Sequence, residues 1–208
     1  MSTLAPSPHD LAAAAVLALS GERWAIADAA QQVPACPGLY AIYGDEQAWS
    51  DLQFEPVLNR PLYVGKAEDS LVSRDINDHF ATNPKAKPRT GSSTVRRSFA
   101  ALLRDTLDLQ AVPRNLARPE RFANYALAEG GDARLSEWMH ARLTLAVWPA
   151  PAGVPVPLGR VETEVIVHFR LPINLDKNPG KLARLSRARA VMAAEASRWR
   201  PEGMNGAP

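Results

Sequence analysis

Two short tyrosine-bearing segments and a helix-like segment after them carry side chains that could act on a phosphate group. Tyr40 lies in "GLYAIY" and Tyr63 in "PLYVGKA", where Lys66 follows it, and both segments have the β-branched and aromatic content of strands. Arg74 and His79 lie in "SLVSRDINDHFAT", which is typical of a helix. These residues form either a plain hairpin on a helix, with core tyrosines and a surface Arg–His pair, or a phosphate-handling site.

The residue types suit the hydrolysis of a phosphodiester, which needs an activated water, charge neutralisation and help for the leaving oxygen. Arg74 has planar donors that can grip two phosphate oxygens. A free tyrosine has a pKa near ~10, so Tyr63 needs cationic neighbours such as Lys66 or Arg74 to act as a base. His79 is a competing base or a leaving-group acid, because an unperturbed histidine titrates near neutrality.

Glu162 is a candidate ligand for a divalent metal ion. It lies in "RVETEVIVHFRLPINL", whose apolar spacing predicts that a helix opens this segment. A single carboxylate can hold one Mg²⁺, or Mn²⁺ in its place, because such cations prefer oxygen ligands and keep several waters. The plainer alternatives are that Glu162 is a solvated helix residue and that Asn174, further along, is a turn former.

Strand and helix signals alternate along the chain without a regular βαβ rhythm. Ser7 or Asp10 can cap the first helix, Ser92–Thr94 a middle one and Ser136 a later one. The sequence therefore predicts an α+β fold with a small, mostly antiparallel β-sheet flanked by helices, and with extra N- and C-terminal helices. The predicted elements are helices over 8–20, 70–82, 93–107 and 181–200, strands over 38–43, 61–67 and 122–127, a helix that passes into a strand over 134–150, and a helix that begins at 160.

The composition is that of an ordinary globular protein. The chain has 208 residues, of which 46% are hydrophobic and 22% charged, enough for one domain with elaborations. Cys36 is the only cysteine, which excludes an internal disulfide framework and a CxxC-type zinc site. "LAAAAVLALS" follows the acidic Asp10 and is too short to span a bilayer, so we expect a buried or amphipathic helix and a cytoplasmic protein without a membrane partner.

Charge is distributed unevenly along the chain, although the net charge is only +2. Residues 1–60 hold two basic and seven acidic side chains, whereas residues 85–121 hold nine basic and three acidic ones. Residues 177–200 hold seven basic and one acidic. This asymmetry favours a polyanionic partner, with a solvated basic face as the alternative.

The order of these motifs resembles the GIY-YIG nuclease superfamily. Gly38–Tyr40 stands in the place of the GIY triplet and Tyr63–Gly65 in the place of YIG. Arg74 matches the arginine on the following helix, and His79 matches the histidine often found one turn beyond it. The resemblance covers about residues 36–178 and implies a GIY-YIG core.

The second half of the chain resembles the family by spacing. Family members that excise DNA lesions in bacteria carry a glutamate, two apolar residues three and four positions later, and an asparagine twelve positions later. Glu162 is followed in this way by Val165, Ile166 and Asn174. Glu164 would break that register, so the resemblance assigns the metal to Glu162.

The resemblance implies a metal-dependent endonuclease that hydrolyses nucleic acid, most often DNA, and leaves a 5′-phosphate and a 3′-hydroxyl. Tyr63 would take a proton from the attacking water, and Tyr40 would assist by hydrogen bonding. Gly65 would let the backbone come close to the other elements, Asn174 would fix the water or the glutamate, and Glu162 would hold Mg²⁺ or Mn²⁺. The alternatives are an inactive nucleic-acid-binding module and a protein-interaction domain that keeps the fold. DNA against RNA and monomer against dimer stay open.

Two basic segments are further candidates for contact with nucleic acid. "GSSTVRRSFAALL" (91–103) resembles one branch of the family, and Arg96 and Arg97 fall in the first turn of its predicted helix. Helix N-termini bind anions, so both arginines are candidate phosphate contacts; the alternative is a cap followed by two solvated arginines. The basic helix over 181–200 can track phosphates or simply face solvent.

These elements predict three regions. An N-terminal helical extension covers 1–35, a GIY-YIG nuclease-like domain with a helical insert covers 36–178, and a basic C-terminal helix and tail cover 179–208.

Overall fold

The computed structural model describes residues 6–73, 79–80, 90–153 and 155–200. In chain order, the elements are α1 (Pro8–Leu19), β1 (Trp24–Ala25), α2 (Ala29–Gln32), β2 (Gly38–Gly44), α3 (Glu46–Asp51), β3 (Tyr63–Ala67), α4 (Thr94–Leu102), β4 (Ala111–Val112), β5 (Ala126–Leu127), α5 (Gly131–Arg142), β6 (Leu143–Pro149), α6 (Leu158–Phe169) and α7 (Ala183–Arg198). Short 3₁₀ helices cover Thr90–Ser92 and Pro119–Asn124.

The chain divides into two units, each made of two stretches of sequence. The first unit comprises Met1–Pro88 and Ser136–Leu182, and the second comprises Arg89–Leu135 and Ala183–Pro208. This division differs from the three regions predicted from the sequence, because the first helix joins the first unit and the last helix joins the second.

An antiparallel sheet forms the centre of the first unit. Its strands lie in the order β1–β6–β2–β3, so β2 is internal and β3 is at an edge. A two-stranded antiparallel sheet, β4–β5, lies in the second unit. These sheets and the helices around them confirm the predicted α+β fold.

The middle strand β2 is buried on both faces because its sequence, "GLYAIYG", is almost continuously apolar. Leu39, Ala41 and Tyr43 alternate onto the face that α1 and α6 cover. The Tyr43 hydroxyl donates a hydrogen bond of 2.8 Å to the Leu19 carbonyl in α1. The segment predicted as an N-terminal extension therefore packs into the core of the first unit, and Tyr40 is directed to the opposite face of the sheet.

Local sequence rules correctly predicted several element ends. Ser7 caps α1 in a capping box with Asp10, and Ser93 caps α4 by accepting a hydrogen bond from the Arg96 amide. Ser136 does not cap α5, because that helix begins five residues earlier, at Gly131. The predicted strand over 122–127 is confined to β5, since a 3₁₀ helix occupies the residues before it.

The remaining predictions for the chain have mixed outcomes. The link between the two tyrosine strands contains the short helix α3. The predicted helix over 70–82 lies partly outside the described residues. Among the residues that the structure describes, no helix has the length and hydrophobicity needed to cross a membrane.

Buried arginines hold the second unit together. Arg96 is completely buried, and its Nη2 donates to the carboxylate and to the backbone carbonyl of Asp132, each at 3.1 Å. Burial lowers the pKa of the Arg96 guanidinium, and the adjacent Asp132 carboxylate opposes that shift. Arg97 is also buried, and its Nη1 donates to the Gly91 carbonyl at 2.7 Å. The prediction that Arg96 and Arg97 project toward phosphates, and the alternative that both are solvated, are wrong in this structure because their guanidinium groups bond inside the unit.

Candidate active site

Antiparallel pairing of β2 with β3 brings the two candidate tyrosines together. Tyr40 lies opposite Gly65 in the register, and Tyr63 is two residues before Gly65, so all three are on one face of the sheet. The ring centroids of Tyr40 and Tyr63 are 6.1 Å apart. A Cβ atom on Gly65 would lie 2.4 Å from the Tyr40 hydroxyl oxygen, so this glycine makes room for the Tyr40 ring. The two triplets of the sequence therefore depend on each other sterically.

His79 contacts the same tyrosine from the other side. Its Nε2 shares a hydrogen bond of 2.9 Å with the Tyr40 hydroxyl, and its side chain is 1% exposed. The two rings lie 5.8 Å apart, centroid to centroid. His79 thus reaches the site through Tyr40, and this placement favours a positioning role over direct proton transfer to a leaving group.

A cleft of about 430 Å³ opens beside the tyrosines in the first unit. Most of its lining is polar, and it collects side chains from β2, β3 and α6 together with the residues after β3. The lining residues are Tyr40, Tyr63, Lys66, Ala67, Glu68, Asp69, Ser70, Ser73 and Glu162. Lys66, predicted to lie near phosphate, is in this lining and forms an ion pair with Glu68.

The two glutamates of α6 occupy different surroundings. Glu162 is 9% exposed and lines the cleft, as expected for the residue that the spacing selected. Glu164 instead lies 3.3 Å from Nδ1 of His9 in α1 and lines a separate groove between α1 and α6. Of the two glutamates of α6, Glu162 is therefore the one that shares the cleft with the tyrosines, where Glu68 and Asp69 are further carboxylates.

Sequence reasoning missed Lys177, which makes the closest contact with Glu162. Its Nζ lies 2.5 Å from Glu162 Oε2 and 3.2 Å from the Gly159 carbonyl oxygen. Lys177 has a left-handed backbone, with φ 58°, which is uncommon for a residue other than glycine. That conformation directs the lysine back onto the first turns of α6. Its position in "LDKN" after the strand-like "LPIN" gives no periodic signal that could have revealed this contact.

Asn174 is also brought near the site, but its side chain bonds to the backbone of β3. Its Oδ1 accepts from the Val64 amide at 3.0 Å, and its Nδ2 donates to the Val64 carbonyl at 2.7 Å. The adjacent Ile173 amide donates to the Leu62 carbonyl at 3.1 Å. This segment therefore covers the free edge of β3, much as another strand would. The resemblance implied that Asn174 fixes the water or the glutamate, but the described hydrogen bonds of its side chain go to the Val64 backbone.

The donor set near Glu162 suits a weakly held, hydrated cation. Among the described residues, no group of three or more His, Cys, Asp or Glu side chains could enclose a metal. Magnesium is usually held by one or two carboxylates plus waters and substrate phosphates, which one glutamate at the wall of a cleft fits. The Lys177 ammonium group holds one Glu162 oxygen, so a cation would have to share or displace that contact.

The other candidate residues do not add to this cluster. Arg74 lies outside the described residues, so its predicted grip on phosphate stays a prediction. Arg96 and Arg97 belong to the second unit and are buried there.

Residues 38–191 match the family model described as the GIY-YIG catalytic domain. The match covers most of the chain, so the chain belongs to the GIY-YIG family, and the resemblance seen in the sequence is confirmed. No curated protein and no solved structure matches the chain. Membership indicates a nuclease-type phosphodiesterase domain, for which nucleic acid is the substrate class.

Proposed function

We propose that this GIY-YIG protein is a metal-dependent endonuclease that hydrolyses phosphodiester bonds, with DNA as the expected substrate. The convergence of Tyr40, Tyr63, Lys66 and Glu162 on one cleft carries the proposal, because the four come from three separate elements of the fold. A core packing role would explain the tyrosines alone, but it would not explain a polar cleft that places a lysine and three carboxylates beside them.

In the proposed reaction, a water oxygen attacks phosphorus and the bond from phosphorus to the 3′ oxygen breaks. The leaving 3′ oxygen takes a proton from solvent, which gives a 5′-phosphate and a 3′-hydroxyl. Tyr63 is the general base that takes the water proton, because it lines the cleft and is less buried than Tyr40. Cations near a phenol favour its ionised form, and Lys66 lies in the same lining. Lys66 also offers positive charge to the phosphate oxygens.

Tyr40 and His79 form a supporting pair for this base. The Tyr40 hydroxyl is held at 2.9 Å by His79 Nε2, and the Tyr40 ring fills the space above Gly65. A fixed, buried hydrogen bond of this kind orients a side chain without exposing it to solvent. We therefore propose that Tyr40 orients the water or Tyr63, and that His79 orients Tyr40.

Glu162 is the proposed metal ligand, and Mg²⁺ or Mn²⁺ bound there would neutralise phosphate charge and stabilise the leaving oxygen. Glu162 is nearly buried at the cleft wall, so its position on α6, and not solvation, decides where its carboxylate lies. The Lys177 Nζ atom contacts Glu162 Oε2. The lysine therefore competes with a metal ion for this oxygen.

The test is cleavage of single-stranded, duplex and branched DNA with Mg²⁺ or Mn²⁺. Glu162→Gln keeps the size of the side chain and removes its charge, so we expect the rate to fall at least roughly 100-fold. Glu164→Gln is the matched control, because it removes the same charge from the same helix outside the cleft. We expect it to cleave at the wild-type rate.

Other outcomes would separate the alternatives. Equal loss of activity in the two variants would contradict the assignment of Glu162. Cleavage that survives in Glu162→Gln would mean that the metal ligand lies elsewhere. Salt-sensitive binding of DNA without any cleavage would identify an inactive nucleic-acid-binding module, and an absence of binding to DNA and RNA would favour a protein-interaction domain.

A further inference from the structure

The second unit contains a cavity lined by arginine and asparagine. Its volume is about 220 Å³, and it lies between the loop after β4 and the 3₁₀ helix Pro119–Asn124. The lining residues are Arg114, Asn115, Arg118, Arg121 and Asn124. None of these described lining residues is acidic, so the lining consists of guanidinium and amide groups.

Arg114 is anchored at the wall of this cavity. Its Nη1 donates to the Gly91 carbonyl at 3.1 Å, and the same carbonyl accepts from Arg97 at 2.7 Å. A Cβ atom on Gly91 would lie 2.8 Å from Arg114 Cδ, so the arginine stem packs directly on the glycine backbone. A guanidinium group has five N–H donors, so this anchor leaves further donors for a ligand.

Arg118 is exposed, and its guanidinium group forms no hydrogen bond or ion pair with any residue that the structure describes. The turn that carries it is held locally, because the Ala117 amide donates to Asn115 Oδ1 at 2.9 Å and the Arg121 amide donates to the Arg118 carbonyl at 3.0 Å. The backbone is thus fixed while the Arg118 guanidinium group is available. Such preorganised arginines suit phosphate, which they bind through paired N–H donors.

We propose that this cavity binds phosphate groups of the nucleic-acid backbone, as a second contact of the protein with its substrate. The inference rests on the proposed function, from which it takes the substrate class. Leu116 lies between Arg114 and Arg118 in sequence and is 58% exposed. An exposed apolar side chain among phosphate-binding arginines suits contact with sugars or bases, as in proteins that insert apolar residues into nucleic acid. A site for free phosphate would have no use for it.

The cavity is lined by three of the nine basic side chains of residues 85–121, a stretch that has only three acidic ones. Arg96 and Arg97 belong to this excess, but both are buried inside the unit. Among the described residues of this stretch, the exposed basic side chains are Arg114, Arg118 and Arg121. Within residues 90–121, the exposed positive charge that the structure describes therefore lies at this cavity rather than at the start of α4.

The test is the salt dependence of DNA binding, measured by fluorescence anisotropy of a labelled duplex in EDTA so that no cleavage occurs. Arg118→Gln with Arg121→Gln removes two charges from the cavity, and Arg142→Gln with Arg170→Gln removes two from the first unit, at the half-buried Arg142 and the exposed Arg170. Loss of two phosphate contacts lowers the slope of log Kobs against log[salt] by about 2. We expect that change in the cavity variant and almost none in the control, with circular dichroism confirming that both are folded.

Inorganic phosphate is the second probe, titrated by calorimetry into wild type and the cavity variant. We expect heat of binding in wild type that is lost in the variant, and this result does not depend on whether the protein cleaves DNA. Equal slopes in the two double variants, or phosphate binding that survives in the cavity variant, would overturn the inference. If wild type binds no DNA, the proposed function fails, and the phosphate titration alone decides whether the cavity is an anion site.

Discussion

Asn174 offers the sharpest separation between a catalytic and a structural role, because its side chain bonds both polar groups of one backbone unit. Asn174→Ala removes the acceptor of the Val64 amide and the donor to the Val64 carbonyl. Val64 is fully buried in the edge strand β3, and Asn174 is 5% exposed. Water therefore cannot easily replace the lost partner.

The expected cost follows from these two bonds. A hydrogen bond contributes about 1 kcal/mol net, and a buried donor or acceptor left without a partner costs about 1–3 kcal/mol. Two bonds lost at a site that relaxes in part give a decrease of about 2–4 kcal/mol in the free energy of unfolding. Asp176→Ala is the control, because Asp176 is exposed in the same segment and makes no hydrogen bond with a described residue. We expect it to change stability by less than about 0.5 kcal/mol.

Urea unfolding and hydrogen exchange measure this effect directly. The Val64 amide should exchange faster in Asn174→Ala than in wild type or Asp176→Ala, since it loses the Asn174 side chain as its acceptor. A variant that keeps wild-type stability and Val64 protection but loses DNA cleavage would refute the structural role. It would restore the first inference from the sequence, in which Asn174 fixes the water or the glutamate.

Two further substitutions test the geometry of the cleft. Gly65→Ala would place a Cβ atom 2.4 Å from the Tyr40 hydroxyl oxygen, so we expect the free energy of unfolding to fall by about 1–3 kcal/mol. The Tyr40–His79 hydrogen bond must also shift, so we expect cleavage to be roughly 100-fold slower. Thermal unfolding and cleavage kinetics measure the two effects, and wild-type kinetics would contradict the prediction. Lys177→Met removes the ammonium group that contacts Glu162 Oε2, and this partly exposed ion pair contributes about 1 kcal/mol. We therefore expect the affinity for Mn²⁺, measured by electron paramagnetic resonance, to rise roughly five-fold. An unchanged affinity would show that the lysine does not compete with the metal.

The sequence predicted the antiparallel sheet and the order of the motifs because local signals specify both. The apolar run of β2 and the cap residues Ser7 and Ser93 act within a few residues of themselves. The pairing of Tyr40 with Gly65 also depends on the register of the two strands, which a connection as long as residues 45–62 does not specify. The steric need for glycine at position 65 follows from the position of the Tyr40 ring, which only the structure provides.

Long-range polar contacts could not be predicted in this way. Arg96 meets Asp132, which is 36 residues away, and Asn174 meets Val64, which is 110 residues away. A sequence pattern places an arginine at the surface by default, because charged residues are seldom fully buried without a partner. The partner was distant in sequence, so the burial of Arg96 was missed for the same reason as the role of Asn174. Lys177 adds a backbone conformation that no periodicity reports.

The choice between Glu162 and Glu164 shows how spacing and geometry lead to the same residue by independent routes. Two positions along an α-helix correspond to a rotation of about 200°, so two glutamates separated by one residue must face nearly opposite directions. Glu164 is directed toward His9 in α1, on the side where the helices pack together. Glu162 must then be directed away from α1, and it lines the cleft with Tyr40 and Tyr63. A reaction that needs a carboxylate from α6 beside these tyrosines can use Glu162 and not Glu164, whatever metal or substrate completes the site.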